Sequence, residues 1–305
     1  MSLVEGVCSH IICFARMRHF ANIGKFSNCT YSKSRLIVVV AMSDVELVRI
    51  TLFFATLTIC GIWEAVLTRN SLRRNIKLRW LNNFSLASLN LVIVKIFMPL
   101  VVYNAANLAM QLNLGLLNQY RISDGVVLLL SILALDCVIY WQHRLFHRLS
   151  FCWPMHRVHH ADQDVDISTG VRFHPIEIVL SLGIKASTVI VLGISPGAVI
   201  VFEVILSSSA IFTHCNVRLS PNTDRWLRYL IVTPNMHRIH HSTDVKHSNH
   251  NFGFFLSIWD RFFGSYIELP IQSYKVGIKE FNNQREVWLD RLLSQPFRKN
   301  TSNKS

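Results

Sequence analysis

Eight histidines fall into three tight clusters: His143 and His147; His156, His159 and His160; and His237, His240 and His241. The first cluster has i, i+4 spacing and the other two i, i+3, i+4, so each sets its imidazoles on one face of a helix. A fold that uses all three must carry separate helical segments to one place, because a polyhistidine metal site draws ligands from several directions. A lone histidine near a helix end is ordinarily a hydrogen-bonded surface residue. Three clusters of matching spacing are not explained that way. A single ion takes about four to six ligands, so eight imidazoles, with His174 and His214 as possible additions, make two metals the economical reading. Neutral imidazole suits iron, zinc, copper and nickel alike; a redox role would choose iron and a structural role zinc. His247 and His250, in a polar stretch with Asn249 and Asn251, read as loop residues.

Composition sets the surroundings of that centre. Of 305 residues 51% are hydrophobic and 16% charged, against about 25% charged in soluble domains, and the mean hydropathy is +0.32. This balance predicts an all-α integral membrane bundle of about four or five spans, each needing about 20 apolar residues. Candidate spans are Ile50 to Leu67, Phe84 to Tyr103, Gly125 to Trp141, Ile176 to Ile194 and Gly197 to Thr213, the last two paired as a hairpin over 176–213. Lys185, Glu203 and Ser207 to Ser209 in that hairpin imply burial against protein. The net charge of +13 sits in short blocks beside apolar runs, which fits orientation and contact with anionic headgroups and excludes nucleic acid as a partner. Seven scattered cysteines without a Cys-x-x-Cys pair indicate neither a disulfide framework nor a zinc ribbon.

Residues 68–83 hold Arg69, Arg73, Arg74, Lys77 and Arg79, whereas 104–124 hold only Arg121. The first loop is therefore read as cytoplasmic. Alternation then brings every histidine group out on the cytoplasmic side, where a helical cap would carry the dimetal site. Residues 1–41 conflict with this orientation; they read as a non-native extension or disordered tail, and a start at Met42 would remove the conflict. The remaining chain divides into a membrane hairpin and loop (42–124), a catalytic region (125–270), and a C-terminal amphipathic helix with a polar tail (271–305).

Carboxylates near the histidines are few. Asp136 lies two turns before His143, Asp244 four residues after His240, and Glu177 three after His174. Each is a candidate to hold an imidazole tautomer from behind the ligand shell. No Ser/His/Asp arrangement, phosphate-binding glycine loop or nucleophile elbow stands out.

Over residues 125 to 266 the chain resembles the fatty acid hydroxylase or sterol desaturase superfamily of membrane enzymes. The resemblance rests on DCVIYWQHRLFH (136–147), MHRVHH (155–160), TGVRFHPIE (169–177), His214-Cys215-Asn216, TPNMHRIHH (233–241) and NFGFFLSIWDRFFGSY (251–266). It implies two irons held by the histidines, dioxygen as co-substrate, and hydroxylation or desaturation of a lipid such as a sterol, fatty acyl chain or alkylglycerol, by hydrogen abstraction from an unactivated carbon. Some relatives carry a second histidine four residues after the position of His214; here it is Arg218. With no haem-attachment, iron–sulfur or dinucleotide motif in the chain, electrons would come from a cytochrome or ferredoxin with its reductase. A metal transporter or store, and a scaffold keeping zinc for stability, are the alternatives. Confinement of the clusters to one membrane face speaks against transport.

Overall fold

The computed structural model describes residues 31–71, 75–97, 101–270 and 275–298. Within them the chain is helical, with no β-strand and three isolated bridges. In chain order the helices are α1 (Tyr31–Val66), α2 (Ile76–Phe97), α3 (Val101–Gln111), α4 (Asp124–Arg148), α5 (Trp153–His160), α6 (Pro175–Leu192), α7 (Pro196–His214), α8 (Pro221–Leu227), α9 (Pro234–His240), α10 (Val245–Ser248), α11 (Ile258–Phe262) and α12 (Leu289–Ser294). Five helical stretches, in α1, from α2 onward, and in α4, α6 and α7, are long and apolar enough to cross a membrane. The expected second span runs over residues 98–100, which lie outside the described residues, as do residues 1–30 and 299–305 of the expected tails.

Local sequence sets the helix starts. α6, α7, α8 and α9 each open with proline just inside the helix, behind His174, Ser195, Ser220 and Thr233, whose side chains accept a backbone N–H of the first turn. Proline loses nothing there, because the first N–H groups have no partner within the helix. At its own far end α6 stops at Gly193, with φ of 72°. Gly115, at φ of 88°, lies so close that a Cβ on it would fall 2.1 Å from the Gly193 nitrogen. Only glycine fits that approach.

Three apolar clusters hold the bundle. Val102, Ala105 and Ala106 of α3 pack with Leu135 and Ile139 of α4, Ala186 and Val189 of α6, and Phe202 of α7; the small residues of α3 let the helices approach closely. Cys60, Ile211 and Val217 join α1 to the end of α7. Leu86, Val158 and Leu292 join α2, α5 and α12, so the C-terminal helix turns its apolar face onto protein. The ends of α1 and α7 meet through Arg69 N–H to Asn216 O (2.8 Å) and Arg218 N–H to Leu67 O (2.9 Å), which fixes the end of the bundle where the histidines emerge.

The largest departure from the sequence reading is Arg79. Because α2 begins at Ile76, Arg79 belongs to a helix and not to a charged loop, and it is fully buried. Its Nε donates to Asp162 (2.9 Å), Nη1 to Asp166 (2.8 Å), and Nη2 to Asp162 (3.1 Å) and the Asp164 carbonyl. Arg172, Asn83, Ser168 and Thr169 complete the network. Arg79 and Arg172 balance Asp162 and Asp166, which is the condition for burying such charges.

Candidate metal centre

α4 delivers His143 and His147, α5 delivers His156, His159 and His160, α7 ends on His214, and α9 delivers His237 and His240, with His241 at its cap. The nine side chains form two groups, in each of which the ligand atoms lie within 4.8 Å of one another. One contains His143, His147, His156, His160 and His240, and the other His159, His214, His237 and His241. His147 is half-buried and the other eight are buried.

The imidazoles face one another through Nε2. His240 meets His143 at 2.8 Å and His147 meets His160 at 3.1 Å. His214 meets His159 at 3.0 Å, His237 at 3.0 Å and His241 at 3.1 Å. On the far side of the rings, Nδ1 of His143 donates to Phe252 O (2.8 Å), of His240 to His250 O (2.9 Å), of His214 to Ala210 O (2.6 Å) and of His159 to Arg172 O (3.2 Å). A neutral imidazole that donates from Nδ1 has only a lone pair at Nε2. Two lone pairs about 3 Å apart repel, and a cation between them removes the conflict. Metal–nitrogen bonds of about 2.1 Å at right angles place neighbouring nitrogens about 3.0 Å apart, so the spacing fits ions with more than four ligands. His156 agrees: its Nε2 is buried without a hydrogen-bond partner. The donor set therefore fits two metal ions.

Burial acts in the same direction. His159, His160, His237, His240 and His241 are held well below the ordinary imidazole pKa by desolvation first and by neighbouring imidazoles second. Each stays neutral and able to ligate at pH 7. Phe252, Trp153 and Phe173 wall the site, with Phe173 stacked on His159 at 4.5 Å.

The remaining candidates separate. The Glu177 carboxylate accepts from His156 Nδ1 at 2.7 Å. His174 lies outside both groups: it caps α6, and its Nε2 faces the Leu293 carbonyl at 3.2 Å. Asp136 holds no imidazole. Its carboxylate accepts from Phe255 N–H, Leu256 N–H and Trp259 Nε1 (2.8 Å), since two helical turns carry it too far from the His143 ring. Asp244 also misses the cluster, because α9 ends at His240 and Asp244 caps the next helix through Lys246 N–H. Arg218 is exposed on the extended chain beyond α7.

Asp260 was visible only as part of a motif. It is buried, accepts from Phe252 N–H (2.7 Å), Gly253 N–H (2.8 Å) and Ser265 Oγ (2.7 Å), and thereby fixes the loop whose carbonyl orients His143. Burial pushes its carboxyl up to about 6. Asn251, at φ of 57°, ties the same loop to Met236 O and Ile267 O. A cavity of about 1720 Å³ opens behind α9, lined by Arg69, Asp164, Arg218, Asn235, Arg238 and Lys275. Charged and polar residues predominate in its lining, and none of the histidine ligand candidates lines it.

Comparison with known proteins places this geometry in context. The fatty acid hydroxylase family model matches residues 128–265. Alkylglycerol monooxygenase of Danio rerio is 29% identical over 170 residues, covering 55% of this chain and 36% of that protein. Its Homo sapiens counterpart is 26% identical over 168 residues, covering 52% and 37%. Ornithine lipid hydroxylase OlsE of Rhizobium tropici is 28% identical over 132 residues, covering 43% and 39%. The chain thus spans under two-fifths of the length of these relatives, and no solved structure matches it.

Proposed function

The chain belongs to the fatty acid hydroxylase superfamily, and from that premise we propose that it is a membrane monooxygenase that hydroxylates an unactivated C–H bond of a lipid with dioxygen and external electrons. The observation that carries this reading is the pair of imidazole sets whose Nε2 atoms converge, with Nδ1 of His143, His156, His159, His214 and His240 held from behind. Bound in these sets, two irons would supply activation of dioxygen. The assigned ligands are His143, His147, His156, His160 and His240 for one ion and His159, His214, His237 and His241 for the other.

The protein's own contribution is positional. The carbonyls of Phe252, His250, Ala210 and Arg172, with Glu177, fix ring orientation and tautomer, so the ligands need no rearrangement during turnover. Phe252, Trp153 and Phe173 pack on the imidazoles and would shield the bound metals from water. The relatives' names, a monooxygenase and a hydroxylase, favour hydroxylation over desaturation. With Arg79 set aside as buried and paired, Arg69, Arg73, Arg74 and Lys77 still outnumber the single Arg121 of residues 104–124, which supports a cytoplasmic site, where a cytochrome or ferredoxin would deliver electrons.

The test is turnover of the reconstituted protein with a reductase system, a lipid panel and ¹⁸O₂. Label in a lipid alcohol, lost in His240→Ala and His214→Ala, is the expected result. Dioxygen-independent product, or full turnover in either variant, overturns the reading.

A further inference from the structure

The cap carries large apolar side chains that neither its core nor the metal centre uses. Trp226, Tyr229, Leu230 and Phe262 are exposed to 75%, 54%, 61% and 78%. They are not scattered. The Trp226 and Tyr229 rings lie 6.0 Å apart, and the Arg261 guanidinium sits 5.5 Å over Tyr229. Next to Arg261, Phe262 meets Phe263 at 4.9 Å, and Phe263 meets Trp141 at 4.9 Å. Backbone bonds from Ser257 N–H to Leu230 O and from Val232 N–H to Phe255 O make the two segments one unit.

Trp141 gives the strip its setting. It lies on α4, a helix long and apolar enough to span, and is 40% exposed. About 20 residues from Asp124 cover a hydrocarbon core of about 30 Å, which puts Trp141 and Arg144 at its edge. Arg144 lies 5.3 Å over the Trp141 ring and donates to Phe263 O at 3.2 Å. The exposed strip is therefore continuous with the lipid-facing surface of a spanning helix. Its makeup matches that depth: tryptophan and tyrosine favour the headgroup level, and Arg144, Arg225 and Arg261 along it offer planar donors to phosphate oxygens.

We propose that the strip from Trp226 through Tyr229, Arg261 and Phe262 is a membrane-interface anchor, which beds this flank of the cap among the phosphates and upper acyl chains of phospholipids beside the end of α4. The cap is thereby held at a fixed depth, with one flank of the histidine centre facing lipid.

The experiment uses the full chain in nanodiscs of phosphatidylcholine and phosphatidylserine, with p-benzoylphenylalanine placed singly at Trp226 or Phe262. Leu129, 56% exposed on α4, is the lipid-facing reference, and Lys279, exposed beside the polar cavity, the aqueous one. After illumination, mass spectrometry should find phospholipid adducts at 226, 262 and 129 and none at 279. Loss of lipid adducts at either cap position while Leu129 is labelled overturns the proposal. So do adducts at 226 or 262 with a second copy of the chain or with its own residues in place of lipid.

Discussion

Replacing Arg79 by methionine keeps the bulk of the side chain and removes its charge. Arg79 makes four hydrogen bonds, to both carboxylate oxygens of Asp162, one of Asp166 and the Asp164 carbonyl, and is fully buried. Without it Asp162 keeps Thr169 and Asn83 and lies 3.8 Å from Arg172, and Asp166 keeps Trp80 and Ser168. Two buried carboxylates then share one cation, and breaking a buried pair in this way costs about 3–5 kcal/mol. The loss should reach the metal centre, since Arg172 Nε donates to Val158 O and Arg172 O accepts from His159. Arg79→Met should therefore melt well below the wild type in detergent and release metal on mild heating. Arg79→Lys, which keeps the charge without the fork, should fall between them. Adding Asp166→Asn to Arg79→Met restores charge balance and should recover part of the loss, a coupling of about 0.5–3 kcal/mol. A melting curve superimposable on the wild type, or strictly additive losses, would refute the account of the network.

Other perturbations address the histidines directly. A Cβ on Gly170 would lie 2.6 Å from Ala210 O, the carbonyl that holds His214 Nδ1; Gly170→Ala should cost about 1–3 kcal/mol by overpacking and lower occupancy of the four-histidine group in a metal titration, and unchanged stoichiometry would count against it. Glu177→Leu deprives His156 of its acceptor and should weaken metal binding by about 10–100-fold, while Glu177→Gln loses less; equal affinity for all three proteins would remove Glu177 from its role. The buried imidazoles resist protonation, whereas unfolded histidine titrates near 6.5. Below that pH the unfolded chain takes up protons that the fold refuses, so the stability of chelator-treated protein should fall by up to about 1.4 kcal/mol per pH unit per histidine. Melting temperatures that stay flat from pH 7 to 5 would contradict this.

The clustered histidines were legible in the sequence because helical spacing alone puts them on common faces, and His214 because it ends an apolar run on the same side. What orients them was not. Most of the ring nitrogens held from behind find backbone carbonyls, of Phe252, His250, Ala210 and Arg172, and every residue carries a carbonyl. Spacing misled where a helix stopped: Asp244 would share a face with His240 only if α9 continued past His240. Arg79 read as a loop charge because hydropathy places the start of an apolar run, not of a helix, and its partners Asp162 and Asp166 lie more than 80 residues away. His174, one residue before Pro175, is spent on capping α6.

The proposed oxygenase chemistry requires the converging imidazoles to hold two iron ions. Elemental analysis of purified protein with Mössbauer spectra of an iron-57 sample tests it most directly. The account predicts about two coupled irons per chain, reduced to less than that in His156→Ala. Zinc alone, unchanged after reconstitution with iron, would contradict it.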